Sequence, residues 1–311
     1  MNVVHIGLQR TGNTTLQNSL FARQDHFVYI GKRNDLFSND RVRELITRIS
    51  NQDSLEYDGA RTEALLQSIR AETSPSKPVL IAAEIFSIEG RADRRLVAER
   101  LYSLFAPAKV LIVLRAQPTI VQAIYFKHLS ALSGRIVPFE TWLEQNYGGI
   151  GFSGIHRVGL NYEPLVRAYE DVFGFENVVV LPSEIMHDEN SIYPKRLAEL
   201  LRMPLPAVQD SLKRNVTDQR VSRRHVLAHR VQDILPVDVN LALLGRRLLP
   251  QSLYAVIRRF VTGGGRVDPP ALPEGWRKRI AALCAEGNTQ LEARRSLPLR
   301  SLGYPVVGEV S

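Results

Sequence analysis

Short runs of consecutive apolar residues recur along the chain, without the polar alternation of a strand that has one face in water. They fall at Val3–Gly7, Val79–Ala83, Val110–Leu114 and Asn177–Leu181. Runs of this kind are typical of strands that are covered on both faces, as in a parallel sheet. The pattern therefore predicts four buried, parallel strands.

Between these runs, apolar residues return at every third or fourth position, which predicts helices. The predicted helices are Thr14–Ala22, Arg94–Phe105, Thr119–Ser130, Tyr162–Phe173, Tyr193–Leu201 and, near the end, Leu283–Leu291. Alternating strands and helices indicate an α/β fold, in which helices flank a parallel sheet. We expect a single domain over residues 1–311, with a polar helical insertion at 34–76.

The last third of the chain is basic and has a helical pattern. We expect residues 206–270 to form a basic segment of helix and loop that contributes to a nucleotide or acceptor site. The whole chain has a formal charge of +8 and a pI near 9.7, which favours anionic partners without naming one. No nucleic-acid-binding motif accompanies this charge, so we expect no nucleic-acid partner.

No apolar run approaches the roughly 20 residues that span a bilayer. No signal-peptide pattern precedes the first strand, and Cys284 is the only cysteine. These features predict a cytoplasmic protein without a transmembrane segment or a disulfide. Peripheral membrane contact stays open, because the apolar and basic stretch 237–261 could lie on lipid. His225 and His229 lack a third ligand, so we expect no metal.

The turn after the first strand has the spacing of a phosphate-binding loop. Four residues separate Gly7 from Gly12, and Asn13 and Thr14 follow. Backbone N–H groups and hydroxyls over Thr11–Thr15 could donate to phosphate oxygens at the start of a helix. Asn13 stands where ATP and GTP hydrolases have the Walker lysine. The pattern therefore predicts a site for a phosphate-bearing ligand, and it argues against ordinary ATPase chemistry.

Two further predicted strands end at residues that could take part in chemistry. Glu84 follows Val79–Ala83, and Arg115 follows Val110–Leu114. Because ligands of parallel sheets bind beyond the carboxyl ends of the strands, we expect Glu84 and Arg115 to converge with the loop on one crevice. Each has a plain structural alternative, since Glu84 could pair with a nearby arginine and Arg115 could form a salt bridge at its strand end.

In their order along the chain, these segments resemble the sulfotransferases, which transfer a sulfuryl group from 3′-phosphoadenosine-5′-phosphosulfate (PAPS) to a hydroxyl or amine. His5–Gln17 resembles the family's loop for the 5′-phosphosulfate, and Val110–Tyr125 resembles its segment for the 3′-phosphate. Asn161–Leu165 and Asn177–Ile185 are similar to its later helix, strand and Glu-bearing turn, and Leu302–Pro305 is similar to bacterial members. The likeness spans most of the chain.

The resemblance implies a role for each candidate residue. Arg10 would stabilise the charge that develops on the departing 5′-phosphate. Arg115 and Arg214 would bind the 3′-phosphate, and Glu84 would take the proton of the acceptor. The loop that cradles the 5′-phosphate would consist of Arg10, Thr11, Gly12, Asn13, Thr14 and Thr15.

Three positions differ from the family pattern. The mildest change is Asn13, which replaces a common threonine and whose side chain can still donate. Arg10 replaces a lysine, which keeps the charge but cannot readily deliver a proton. Ala123 replaces a serine that binds the 3′-phosphate, and Tyr125 or Lys127 could substitute for it.

The function that this reading predicts is PAPS-dependent sulfuryl transfer to a hydroxyl of a small molecule or a glycan, with 3′-phosphoadenosine-5′-phosphate (PAP) as the product and no metal. The preference for a hydroxyl rests on a glutamate, rather than a histidine, at the position of the base. A divergent nucleotide or small-molecule kinase remains an alternative. So does a catalytically silent nucleotide-binding protein, because of the changes at Arg10 and Ala123.

Overall fold

The structure is a computed structural model that describes residues 1–23, 26–33, 36–87, 93–130, 137–148, 158–213 and 268–308. The chain divides into two compact units. The first comprises Met1–Gln117, Ser153–Thr217 and Lys278–Ser311, and the second comprises Pro118–Phe152 and Asp218–Arg277. Arg214 and most of the predicted basic segment 206–270 lie outside the described residues.

The first unit is built on a sheet that, within the described residues, has six strands. They are β1 (Asn2–Gly7), β2 (Val28–Arg33), β3 (Leu36–Phe37), β4 (Val79–Ala82), β5 (Ala108–Leu114) and β6 (Val178–Pro182), in the spatial order β3-β2-β4-β1-β5-β6. Neighbouring strands are parallel except for the β2–β3 pair. The prediction of an α/β fold with a mostly parallel sheet is therefore confirmed.

The α-helices of the described chain flank or follow these strands. They are α1 (Asn13–Thr15), α2 (Asp40–Asn51), α3 (Gly59–Thr73), α4 (Arg94–Phe105), α5 (Gln117–Ser130), α6 (Phe139–Tyr147), α7 (Tyr162–Phe173), α8 (Ile192–Leu201), α9 (Leu205–Lys213) and α10 (Glu274–Arg295). None of these helices is both long enough and apolar enough to cross a membrane. Residues 36–76 contain α2 and α3.

Several helices begin at a side-chain cap that the sequence supplies. The carboxylate of Asp93 accepts from the backbone N–H of Leu96 at 2.8 Å at the start of α4, and Asp58 does the same for α3. Asn39 caps α2 in this way. Each cap satisfies an N–H group that lacks a partner inside the helix, which stabilises a helix by roughly 1 kcal/mol. The caps set where these helices begin.

The strand β1 lies at the centre of the sheet, between β4 and β5. Its residues Val3, Val4 and Ile6 are buried. Val3 is in register with Leu80 of β4, and Gly7 is in register with Val113 of β5. From β1 the chain first builds one side of the sheet and then crosses to the other. The carboxyl end of β1 is thus a switch point of the topology, where ligands of open parallel sheets bind.

The strand β2 has no counterpart among the predicted strands. It is short, it contains Gly31, and it ends in Lys32 and Arg33, so it lacks a continuous apolar run. Gly31 is required by the packing, because a Cβ there would lie 2.9 Å from the carbonyl oxygen of Ala82 and closer still to the ring of Tyr29. Close approach to β4, rather than strand propensity, explains its sequence.

The second unit has an aromatic cluster among its described residues. The rings of Tyr125 and Phe139 lie 4.6 Å apart, and those of Trp142 and Tyr147 lie 5.8 Å apart. The hydroxyl of Tyr125 donates to the carbonyl of Val137 at 2.9 Å. Stacked and edge-on rings at these separations stabilise a small core.

Candidate functional site

The loop after β1 runs from Leu8 to Gly12 and contains two residues with left-handed backbone. Gly12 has φ 83°, a left-handed backbone that favours glycine, and a Cβ there would come within 2.7 Å of the Met186 Cε. Arg10 has φ 65°, which costs a residue with a side chain about 1–2 kcal/mol. The surrounding contacts must offset this cost, and strain of this kind often marks a functional loop.

The helix that follows is irregular. Only Asn13–Thr15 is α-helical; Leu16–Leu20 is π-helix and Phe21–Arg23 is 3₁₀-helix. The sequence predicted one regular helix over Thr14–Ala22, and this prediction is wrong in its helix type. The backbone nevertheless stays helical without a break from Asn13 to Arg23, so its aligned peptide dipoles still place partial positive charge at the N-terminus.

The side chains of Thr11 and Asn13 hold the loop together from inside. The Thr11 hydroxyl donates to the Leu8 carbonyl at 2.7 Å, and the Asn13 Nδ2 donates to the same oxygen at 2.7 Å. Thr11 is fully buried and Asn13 is 3% exposed. Thr14 is half-buried and Thr15 is buried. The side chains of Thr11 and Asn13 therefore stabilise the loop itself. A ligand could accept hydrogen bonds from their backbone N–H groups.

Gly7, at the end of β1, makes room for this arrangement. A Cβ on Gly7 would lie 1.9 Å from the Oδ1 of Asn13, so any larger residue there would displace the Asn13 side chain from its present position. The glycine thus serves close packing beneath the loop, because its own φ is not in the left-handed region.

Glu84 lies next to the loop on one side. It opens a 3₁₀ turn, Glu84–Ser87, just after β4, and the Ser87 hydroxyl donates to its carbonyl at 2.7 Å. Its Oε1 accepts from the Asn13 Nδ2 at 2.9 Å. Glu84 is half-buried. Asn13, which lies 71 positions earlier in the sequence, therefore holds the Glu84 carboxylate against the loop.

Arg115 reaches the same loop from the other side. It follows β5 directly, and its Nη1 donates to the carbonyl oxygen of Arg10 at 2.8 Å. This bond ties the guanidinium to the residue with the strained backbone. The structure thus brings the segments around residues 10, 84 and 115 together at one loop, as the strand-end argument predicted.

The backbone of Arg115 is itself fixed by side chains that sequence reasoning did not single out. The Tyr162 hydroxyl donates to the Arg115 carbonyl at 2.5 Å. The next backbone N–H, of Ala116, donates to Glu184 Oε1 at 2.8 Å, and the Tyr304 hydroxyl donates to Glu184 Oε2 at 3.0 Å. Burial, and then the Glu184 carboxylate, raise the pKa of Tyr304 well above its ordinary value, so this hydroxyl remains a donor.

The only sequence signal for these residues was their place in segments that resemble the sulfotransferases. Glu184 lies in the Glu-bearing turn, and Tyr304 lies in Leu302–Pro305. Neither pattern indicated a contact with Arg115, because each partner is remote in sequence.

A pair of buried amides joins the start of α5 to α10. The Gln117 Nε2 donates to Asn288 Oδ1 at 2.9 Å, and the Asn288 Nδ2 donates back to Gln117 Oε1 at 3.0 Å. The second amide hydrogen of Asn288 reaches the carbonyl of Pro305 at 2.7 Å. This pair fixes the residues that immediately follow Arg115.

The imidazole of His5 lies beneath the loop in the core. It is fully buried, and its ring meets Phe21 edge-on at 5.1 Å. No described residue makes a hydrogen bond to either ring nitrogen. Burial lowers the pKa of His5 to about 3, so the ring is neutral at ordinary pH. His5 is a packed residue, and it does not face a ligand.

The structure does not describe all of the predicted residues. Arg214 lies outside the described residues, as do His225 and His229. The hydroxyl of Tyr125 is engaged by Val137, and Lys127 is exposed, both within the second unit. A substitute for the missing serine at position 123 therefore stays a prediction.

Comparisons with known proteins give a limited result. No family model and no curated protein matches the sequence. Among solved structures, the backbone is similar to a sulfotransferase from Alicyclobacillus acidocaldarius, with 20% identity and a TM-score of 0.46 over 82% of this chain and 98% of that chain. It is also similar to the sulfotransferase domain from the curacin biosynthetic pathway, with 12% identity and a TM-score of 0.44 over 90% and 96% of the two chains.

Proposed function

We propose that the protein is a sulfotransferase that transfers the sulfuryl group of PAPS to an acceptor hydroxyl. One observation carries this proposal: a Gly-containing loop after the central strand is contacted by Arg115 on one side and by Glu84 on the other. A cation that can bind phosphate and a carboxylate that can accept a proton thus lie at the two sides of one cradle. The sequence likeness of these segments to sulfotransferases adds to it.

The loop would hold the 5′-phosphosulfate of the donor. Backbone N–H groups over Thr11–Thr15 supply donors, and Gly12 allows the ligand to approach the main chain closely. Arg10 lies within the loop and supplies a positive charge there. Its charge would stabilise the phosphate oxygen that becomes negative as the sulfur–oxygen bond breaks, which favours the transition state over the ground state.

Glu84 would act as the base. The acceptor oxygen attacks sulfur in line with the bond to the 5′-phosphate, and its proton passes to the Glu84 carboxylate. The new oxygen–sulfur bond forms as the bond to the phosphate oxygen breaks, and that oxygen leaves on PAP with the electron pair. The reaction is balanced without any further reactant. A glutamate base suits an alcohol acceptor, such as a sugar hydroxyl or a small-molecule hydroxyl.

Arg115 would bind the 3′-phosphate. A guanidinium carries a permanent positive charge and offers its N–H donors in a planar fork, a geometry that matches the oxygens of a phosphate. The brace of Tyr162, Glu184 and Tyr304 holds the backbone of Arg115 in place. A fixed backbone lowers the entropy that the side chain loses when it binds an anion.

The direct test is to measure PAP binding by calorimetry and transfer of labelled sulfate from PAPS to a panel of alcohols, sugars and amines. Glu84→Gln should lower the transfer rate by about 100-fold or more while the Kd for PAP changes less than about threefold. Arg115→Ala should weaken PAP binding by about tenfold or more. The exposed residues Glu199 and Arg196 provide matched controls as Glu199→Gln and Arg196→Ala.

Three outcomes would contradict the proposal. Magnesium-dependent turnover of ATP, with no preference for a ligand that has a 3′-phosphate, would favour a kinase. Tight PAP binding without transfer to any acceptor would favour a silent binding protein. Absence of both PAP binding and transfer would rule out this use of the loop.

A further inference from the structure

The side-chain amide of Asn13 has both of its hydrogens in use. Its Nδ2 donates to the Leu8 carbonyl at 2.7 Å and to Glu84 Oε1 at 2.9 Å. The reversed orientation of the amide would set Oδ1 against two oxygen acceptors, which repel it, so the contacts themselves assign the orientation. Asn13 therefore has no amide hydrogen left to donate to a phosphate, and its contact with Glu84 needs another explanation.

This amide is also held in one place. Asn13 is 3% exposed, Gly7 supplies the space beneath it, and the Thr11 hydroxyl lies 3.2 Å from its Oδ1. Because Leu8 and Thr11 belong to the same loop, the position of the amide follows the position of the loop. A ligand that orders the loop would therefore also order the Asn13 Nδ2, which donates to Glu84.

The two oxygens of Glu84 differ in what they contact. Oε1 accepts from Asn13, whereas no hydrogen bond from the described part of the chain reaches Oε2. The carboxylate is half-buried, and the short turn that begins at Glu84 fixes its backbone. A carboxylate with one oxygen tethered and the other open has a defined direction in which it can accept a proton.

We infer that Asn13 is a positioning residue that directs Glu84, so that Oε2 is the oxygen that takes the proton of the acceptor. The inference rests on the proposed function, in which Glu84 is the base. Asn13 touches neither the sulfur nor the acceptor and acts through Glu84. A neutral amide suits this role, because it orients the carboxylate without neutralising its charge, as a lysine at this position would.

A double-mutant cycle in the transfer reaction tests this coupling. Asn13→Ala should lower kcat by about 10- to 100-fold, and it should raise the Kd for PAP by less than about tenfold, the part of the effect that comes from losing the Leu8 contact inside the loop. Glu84→Ala should lower kcat further. In the Glu84→Ala background, Asn13→Ala should cause no additional loss beyond about threefold, because there is no longer a carboxylate to orient. Thermal unfolding checks that each variant is folded.

A second variant tests the positioning role through the pH profile of kcat, which a purely structural role of Asn13 in the loop would not change. Asn13→Asp puts two carboxylates in contact, and such a pair holds one proton between them more readily than a single carboxylate does. The acid limb of the pH profile of kcat should therefore shift to higher pH. Asn177→Asp is the control, because Asn177 is exposed and its amide donates to the Phe173 carbonyl rather than to a residue of the loop. The pH profile of this variant should match that of the wild type.

The outcomes are distinct. A wild type that transfers sulfuryl groups, together with equal fold losses for Asn13→Ala in the two backgrounds, would overturn the positioning role and leave the proposed function intact. An active Asn13→Asp enzyme with an unmoved pH profile would do the same. A wild type without transfer would overturn the proposed function and this inference with it.

Discussion

Two fully buried tyrosines of the first unit differ in what their hydroxyls contact. The Tyr169 hydroxyl donates to the Phe86 carbonyl at 2.9 Å, whereas the Tyr193 hydroxyl has no hydrogen-bond partner among the described residues. A satisfied buried hydroxyl stabilises a fold modestly, and an unsatisfied one costs the desolvation of its polar group.

Replacing each tyrosine with phenylalanine should therefore have opposite effects. We expect Tyr169→Phe to lower the free energy of unfolding by about 1 kcal/mol and Tyr193→Phe to leave it unchanged or raise it by up to about 1 kcal/mol. Urea unfolding at neutral pH measures both. Equal destabilisation by the two substitutions would contradict this reading of the Tyr193 environment.

The buried His5 makes stability depend on pH in a defined window. Burial lowers its pKa to about 3 in the folded chain, against about 6.5 in the unfolded chain. Below pH 6.5 the unfolded chain binds a proton that the folded chain does not, so stability is full above pH 6.5 and falls as the pH drops towards 3.

His5→Leu removes this titration while keeping an apolar side chain of similar volume. Between pH 7 and pH 5 the wild type should lose about 2 kcal/mol more of its free energy of unfolding than the variant does. Urea unfolding of both proteins at the two pH values measures the difference. An identical loss in both would show that His5 is not the titrating group.

At the scale of the elements, the C-terminal end of α2 is capped by an arginine side chain from α4. Arg100 of α4 donates through Nη1 to the carbonyls of Ile49 and Gln52 at 3.0 and 2.6 Å, and its guanidinium stacks on Tyr57 at 3.9 Å. It is 3% exposed. These carbonyls lack partners inside the helix, so Arg100 satisfies them and docks α2 onto α4.

Arg100→Met should keep the aliphatic packing but leave the carbonyls without their donor. We expect a loss of about 2–3 kcal/mol in the free energy of unfolding. The exposed Arg95 on the same helix is the matched control, and Arg95→Met should change stability by less than about 0.5 kcal/mol. Similar losses for the two variants would contradict the capping role.

Elements with a strong local pattern were predictable. The helices α4 and α7 have the predicted bounds, because an Asp cap or a regular apolar stripe defines them within a few residues of sequence. The strand β2 was missed because contact with β4, rather than its own composition, makes it a strand. The π-helical turn Leu16–Leu20 was missed because apolar periodicity does not distinguish it from an α-helix.

At the scale of the whole molecule, the candidate site depends on contacts between distant segments. The positions of Glu84 and Arg115 followed from strand ends, which sequence patterns reveal. The Asn13–Glu84 contact spans 71 positions and the Glu184–Tyr304 contact spans 120. Side-chain pairs at such separations have no local signal, so only the fold could reveal them.

Tyr304 belongs to the brace that holds the backbone at Arg115, so we expect the C-terminal turn to affect nucleotide binding. Tyr304→Phe keeps the buried ring but removes the donor to Glu184, which loosens the backbone that follows Arg115. We expect the Kd for PAP to rise by about three- to tenfold, less than the full value of a hydrogen bond to a charged group, because the lost bond acts on the site only through the backbone. Calorimetry measures this, with Tyr102→Phe at an exposed position as control. An unchanged Kd would mean that the brace does not serve the site.

The central claim is that one loop, with Arg115 beside it, binds a nucleotide that carries phosphates at both the 5′ and the 3′ positions. Calorimetric titration of the wild type and of Arg115→Ala with PAP and with adenosine 5′-phosphate tests it most directly. We expect the wild type to prefer PAP by about tenfold or more and Arg115→Ala to lose most of this preference. Equal affinity of the wild type for the two nucleotides would contradict it.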